Sequence, residues 1–145
     1  MQVRQDSLGF LIADLSRLMR RAFAQQLTGS SLTLAQARAL LYLSRNEGMR
    51  QVDLAANLEI QPMTLARLVD QLEAGGLLER RSDPADRRAY RLYLKPAAAP
   101  HLEAVKQVAK AIRSDVLRGV GKEHADILLA TLEQMHGNLV EQEEG

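Results

Sequence analysis

Gln61, Thr64, Arg67 and Gln71 recur at spacings of three and four, which on an α-helix stacks their side chains along one strip. Amide and hydroxyl groups with one guanidinium suit the edges of bases in a DNA major groove. Arg67 can grip a guanine through two hydrogen bonds or hold a phosphate. Met63, beside the strip, suits either a thymine methyl or a partly buried filler. A second concentration follows: Arg80, Arg81, Arg87, Arg88, Arg91 and Lys95 share one short stretch with only two acids, Asp83 and Asp86. Cations packed this densely address phosphates and the narrow groove. Arg87 and Arg88, taken alone, also suit an ordinary hairpin tip.

The strip needs a helix to carry it. Pro62 is suited to a first helical position, where its missing N–H costs nothing, and Gly75-Gly76 to a stop. Between them Leu65, Leu68, Val69 and Leu72 form a buried stripe at helical spacing. Gln51 to about Leu58 predicts a preceding helix that offers Val52, Leu54, Ala55 and Leu58 to the same core, with Glu59-Ile60-Gln61 as the turn. Two helices so joined make a helix-turn-helix over residues 51–75, the second helix entering the groove. Leu77 to Ser82 and Ala89 to Lys95 read as strands. The stretch between them, Asp83 to Arg88, holds the Asp and Pro of a turn. Residues 77–95 thus form a basic hairpin, a wing.

These residues resemble the MarR-type winged-helix transcriptional regulators. The likeness rests on the run Gln51 to Leu58, the run Thr64 to Arg81, and above all Asp83-Pro84-Ala85-Asp86-Arg87-Arg88-Ala89. The resemblance implies a homodimer that binds a palindromic operator in double-stranded DNA, often a repressor relieved by a small apolar or phenolic ligand. It implies roles for Asp86, which orders the wing, and for Arg88, which reaches the minor groove. Where the family continues the second strand with Leu-Thr and a later Gly, this chain has Leu94-Lys95-Pro96 and then Ala97 to Pro100, which reads as a hinge before the next helix.

At 145 residues with 46% hydrophobic content, the chain suits a single domain with a real core. Aromatics at 3% and no Trp argue against a stacking platform for single strands. The absence of cysteine excludes disulfides and thiol chemistry. No run is long and apolar enough to cross a bilayer and no leader opens the chain, so a cytoplasmic location without membrane contact is expected. Net charge is only +1, but residues 1–95 hold 14 Lys and Arg against 10 Asp and Glu, and residues 96–145 hold 5 against 8. The basic part is the part that would face DNA.

Along the chain, Leu8 to Phe23 reads as an amphipathic helix with Leu8, Leu11, Ile12, Leu15, Leu18 and Met19 on its stripe. Thr33 and Gln36 have capping-box spacing and open a helix that ends near Gly48. A helix after Pro100 carries Leu102, Val105, Val108, Ala109 and Ile112. A last one, Glu123 to about Val140, precedes an acidic tail, Glu141 to Gly145, expected to fray. The expected fold is mainly α (α+β): a winged helix-turn-helix core over residues 33–95, with helices in 1–28 and 100–140 whose uncovered stripes form a dimerisation part. A ligand cleft is expected between the first helix, the Thr33 helix and the helix after Pro100; Phe10, Arg17 and Tyr42 suit an aromatic wall or an anion partner there, and suit core or surface positions equally well.

No cofactor or metal is expected, because His101, His124 and His136 are far apart and form no i,i+4 pair. No catalytic constellation appears, so an enzyme is disfavoured. The rival reading is a ligand or metal sensor that works through protein partners, distinguished by a lack of salt-dependent duplex binding.

Overall fold

Thr33 opens the winged part of the chain. Its hydroxyl accepts from the Gln36 amide at 3.2 Å, and the Gln36 side chain accepts from the Thr33 amide at 2.9 Å, so two donors at the helix start are satisfied together. In the computed structural model, which describes residues 7–144, the element order is α1 Leu8–Gln26, α2 Leu34–Arg45, α3 Gln51–Leu58, α4 Pro62–Ala74, β1 Leu78–Asp83, β2 Asp86–Leu94, α5 Ala98–Val116 and α6 Lys122–Glu144. Residues 1–6, at the start of the expected dimerisation part, and Gly145, at the end of the expected tail, lie outside the described residues. Contacts divide the chain into two units, Met1–Ile112 and Arg113–Gly145.

Within the first unit, Leu40 and Leu43 of α2, Leu54 of α3, Leu65 and Leu72 of α4, and Leu78 and Leu92 of the strands are fully buried. Each such side chain contributes about 1.5–3 kcal/mol over its exposed state. The same core takes in Leu27, Leu32, Ala98 and Val105, so the link from α1 to α2 and the first half of α5 help to close it.

Both helices of the helix-turn-helix end by the same device. Gly76 has φ +74°, its amide donates to the Glu73 carbonyl at 3.0 Å, and the Leu77 amide donates to the Leu72 carbonyl at 2.9 Å. That is the glycine-capped stop anticipated after α4. At the end of α3 the left-handed residue is Glu59, φ 56°, with the Ile60 amide donating to the Ala55 carbonyl at 3.1 Å. The turn is tight enough to set α4 at once.

The strands pair antiparallel from Leu78 opposite Leu94 to Ser82 opposite Tyr90. Sequence reasoning missed a third rung: the link between α2 and α3 lies along β2, with Gly48 donating to the Leu92 carbonyl at 2.8 Å, Leu92 donating to the Met49 carbonyl at 3.0 Å, and a bridge between Arg50 and Arg91. Gly48 has φ +88°, and a Cβ there would lie 3.3 Å from the Tyr93 ring. Gly48→Ala is therefore expected to destabilise the protein by about 1–2 kcal/mol, measured as a shift of the urea midpoint at unchanged slope.

Several expectations need correction. Val52 is 59% exposed and not in the core; Leu54, Ala55 and Leu58 fill α3's inner face, and at about 100° per residue Val52 falls off it. The strands reach further toward the tip than their alternation suggested, because Asp83 and Asp86 each accept a backbone hydrogen bond two residues on. These side-chain turns shorten the loop to Pro84 and Ala85. The Pro96 to Pro100 hinge is shorter than expected as well. The helix starts at Ala98, since Pro100 falls in its first turn, where an absent N–H leaves no bond unmade, and Ala98 is buried. In the second unit, α6 runs through Glu144, so the acidic tail is helical as far as it is described. No helix among the described residues is long and apolar enough to cross a membrane.

Candidate nucleic-acid interface

Helix α4 presents its outer face through simple periodicity. With Leu65, Leu68, Val69 and Leu72 turned inward, a rotation of about 100° per residue sets Met63, Arg67 and Asp70 diametrically outward. Thr64 and Gln71 lie on one flank, Ala66 and Glu73 on the other. Gln61, Thr64, Arg67 and Gln71 are all exposed, as the sequence strip requires. They are not equivalent. Gln71 leans toward α2, where the Gln36 side-chain amide donates to it at a long 3.4 Å. Gln61 precedes the first helical residue with its side chain unused for capping. The sequence strip also left Met63 to one side, although the buried stripe had already implied that it points outward.

The other flank of α4 is fixed to the wing by Arg80. Its guanidinium donates to Gln51 at 2.9 Å and to the Ala66 carbonyl at 3.0 Å, and it pairs with Asp70 at 2.7 Å and Glu73 at 3.2 Å. The Arg80 side chain is only 16% exposed, so it is a brace and not a free cation for phosphates. Two further wing arginines are also engaged. Arg81 pairs with Glu79 at 2.5 Å and stacks on Tyr93 at 3.8 Å; the Glu79 hydrogen bond raises its pKa above the usual arginine value. Arg91 donates to the Gly48 carbonyl at 2.9 Å. The stretch read as six available cations therefore has three committed to the protein itself.

Arg87 and Arg88 stand apart. The ladder passes from Ser82 opposite Tyr90 to Asp83 opposite Asp86, so Arg87, Arg88 and Ala89 form a bulge on β2 with no counterpart on β1. Bulges re-aim side chains at strand ends, and both arginines are exposed. Neither guanidinium has a salt-bridge or hydrogen-bond partner among the described residues. Asp86 shapes this bulge by accepting the Arg88 amide at 3.0 Å.

The residue that sequence reasoning undervalued is Asp83. It is the buried charged side chain of the core region, at 2% exposure. Its carboxylate accepts the Ala85 amide at 2.9 Å and pairs with Arg50 at 2.9 Å and Arg91 at 3.3 Å. The Ala85 hydrogen bond, then the charges of Arg91 and Arg50, hold its pKa below the ordinary carboxylate value. Asp83 thus ties the base of the bulge to the third rung of the sheet. In the sequence it looks like Asp86, because Arg50 is 33 positions away.

A cavity of about 250 Å³ lies among α1, α2 and α5, between Phe23, Leu34, Leu41, Tyr42 and Ile112, with Arg20 and Arg38 at its wall. Of Phe10, Arg17 and Tyr42, which suited either such a cleft or the core or surface, only Tyr42 lines it. Phe10 is 79% exposed, and Arg17 pairs with Asp14 at 3.5 Å on the surface. Phe10 is more than two turns from the pocket's first lining residue on α1, Met19, and Arg17 lies off the face that Met19, Arg20 and Phe23 turn to the pocket.

Known proteins align with this geometry. Residues 32–90 match the model of the MarR family. Among solved structures, the transcriptional regulator PA3341 is 32% identical, with 92% of this chain and 98% of that one covered and a TM-score of 0.78. A MarR-family transcriptional regulator from Silicibacter pomeroyi is 26% identical over 94% of this chain and 93% of that one, TM-score 0.80. A MarR structure at 24% identity covers 93% and 92%, TM-score 0.81, and shares the fold. The winged part and its flanking helices are held in common, and the chain belongs to the MarR family of transcriptional regulators.

Proposed function

We propose that the protein is a homodimer that binds a roughly palindromic site in double-stranded DNA and represses transcription from it until a small ligand releases it. The observation that carries this reading is the pairing of an exposed α4 face, centred on Arg67, with a bulge that leaves Arg87 and Arg88 unpartnered among the described residues. Gln61, Thr64, Arg67 and Gln71 then read the major groove, and Arg87 and Arg88 enter or straddle the minor groove, with Asp86 shaping the bulge between them.

Dimerisation is supported by apolar faces that the chain leaves uncovered. On α1, Leu8, Leu11, Ile12, Leu15 and Leu18 are each 42–53% exposed. On α6, Ile127 and Leu139 are more than half exposed. Exposed stripes of this kind mark association surfaces, and a two-fold partner sets two α4 helices about 34 Å apart, one turn of DNA. Release by a ligand is supported by the cavity beside α1, α2 and α5, whose apolar wall and two arginines suit an apolar or phenolic acid. Filling it alters how α2 sits against its neighbours, and half-site spacing tolerates little change.

The test starts from fragments of the host's own DNA selected by the protein. Binding is expected to weaken steeply with salt, with a log–log slope of about −0.9 for each phosphate neutralised, and sedimentation is expected to find two protomers per duplex. A stable monomer at micromolar concentration overturns the dimer; binding to no duplex at any salt overturns the whole reading.

A further inference from the structure

We infer that Met63 is a specificity determinant that reads the C5 methyl of a thymine in each half-site, an inference that rests on the duplex-binding reading above. Met63 is the second residue of α4 and is 72% exposed. It packs into no core of its own chain, and the helix rotation sets it outward in line with Arg67. Its neighbours Gln61, Thr64 and Arg67 carry amide, hydroxyl and guanidinium groups, whereas Met63 offers only a flexible apolar arm with a polarisable sulfur. The feature in a major groove that matches such a group is the thymine methyl, the apolar part of the pattern that an A·T pair presents there. Position favours the contact too: the N-terminal residues of a recognition helix are those that approach base edges.

The experiment uses the duplex that the wild-type protein selects from a random library. Each thymine is replaced in turn by deoxyuridine, which removes the C5 methyl and keeps every hydrogen-bonding group. At one position per half-site the wild type is expected to bind about fourfold more weakly, the worth of one buried methyl. Met63→Ala is expected to bind the thymine and deoxyuridine duplexes equally, with an unchanged melting temperature because the side chain is exposed. Arg67→Ala serves as the contrast: it loses affinity and keeps the thymine preference. If no deoxyuridine position discriminates, or if Met63→Ala discriminates as the wild type does, the inference is wrong while duplex binding stands. A wild type that selects no duplex removes both together.

Discussion

Duplex affinity of the Arg87→Ala/Arg88→Ala protein is expected to fall by about 1–3 kcal/mol for each arginine lost, with no change in melting temperature. The second half of that expectation follows from the bulge. Both side chains are exposed and make no salt bridge or hydrogen bond among the described residues, so their removal leaves nothing unpaired inside the protein. The first half follows from what a bulge presents to DNA: two guanidinium groups free of internal acids, beside a hairpin whose other arginines are engaged. Anisotropy titrations over a range of salt concentrations separate two modes of contact. A contact to phosphate lowers the salt slope by about one unit per arginine, whereas a groove contact lowers affinity at nearly constant slope. Unchanged affinity would mean that the bulge is not part of the interface.

Asp83→Ala is expected to approach the double-arginine variant in lost affinity, although Asp83 itself is buried. Its carboxylate holds Arg50, Arg91 and the Ala85 amide in one place. Removing it leaves two cations facing each other and frees the base of the bulge, so Arg87 and Arg88 no longer share one geometry. Unlike the arginine variant, this one also melts at a lower temperature, and that difference identifies a positioning role. Acid should act in the same way as the substitution. The folded-state pKa of Asp83 lies below its ordinary 3.8; its contribution to stability is therefore complete above that ordinary value and is lost as pH falls through the depressed one. Wing amide signals in the wild type are expected to persist from neutrality down to about pH 4 and to broaden only below it. Broadening that begins near pH 6 would point to a different group.

How much of this could be read from the residues alone depends on how local each feature is. The bounds of α3 and α4 follow from Gln51, Leu58, Pro62 and the two glycines, all of which act within one or two turns. The capping box at Thr33 is equally local. What stayed hidden were partnerships across distance. Arg80 and Arg88 are the same residue type eight positions apart, yet one is partly buried against α4 and the other exposed on a bulge; only the packing of β1 on Asp70 and Glu73 separates them. Asp83 and Asp86 differ in the same way. The third rung beside β2 pairs Arg50 with Arg91, a contact that no periodicity announces. For α4 the residues did hold the answer: the burial of Leu65, Leu68, Val69 and Leu72 implies that Met63 faces out.

The reach of Arg80 to three separate elements limits how this protein can be controlled. One side chain joins α3 through Gln51, α4 through Ala66, Asp70 and Glu73, and the wing through its own strand. Helix and hairpin cannot be detuned separately while that junction holds. In the proposed dimer, a ligand held at the α1–α2 cavity would therefore move α4 and the wing as one piece, changing where that piece is carried and not the shape of its surface.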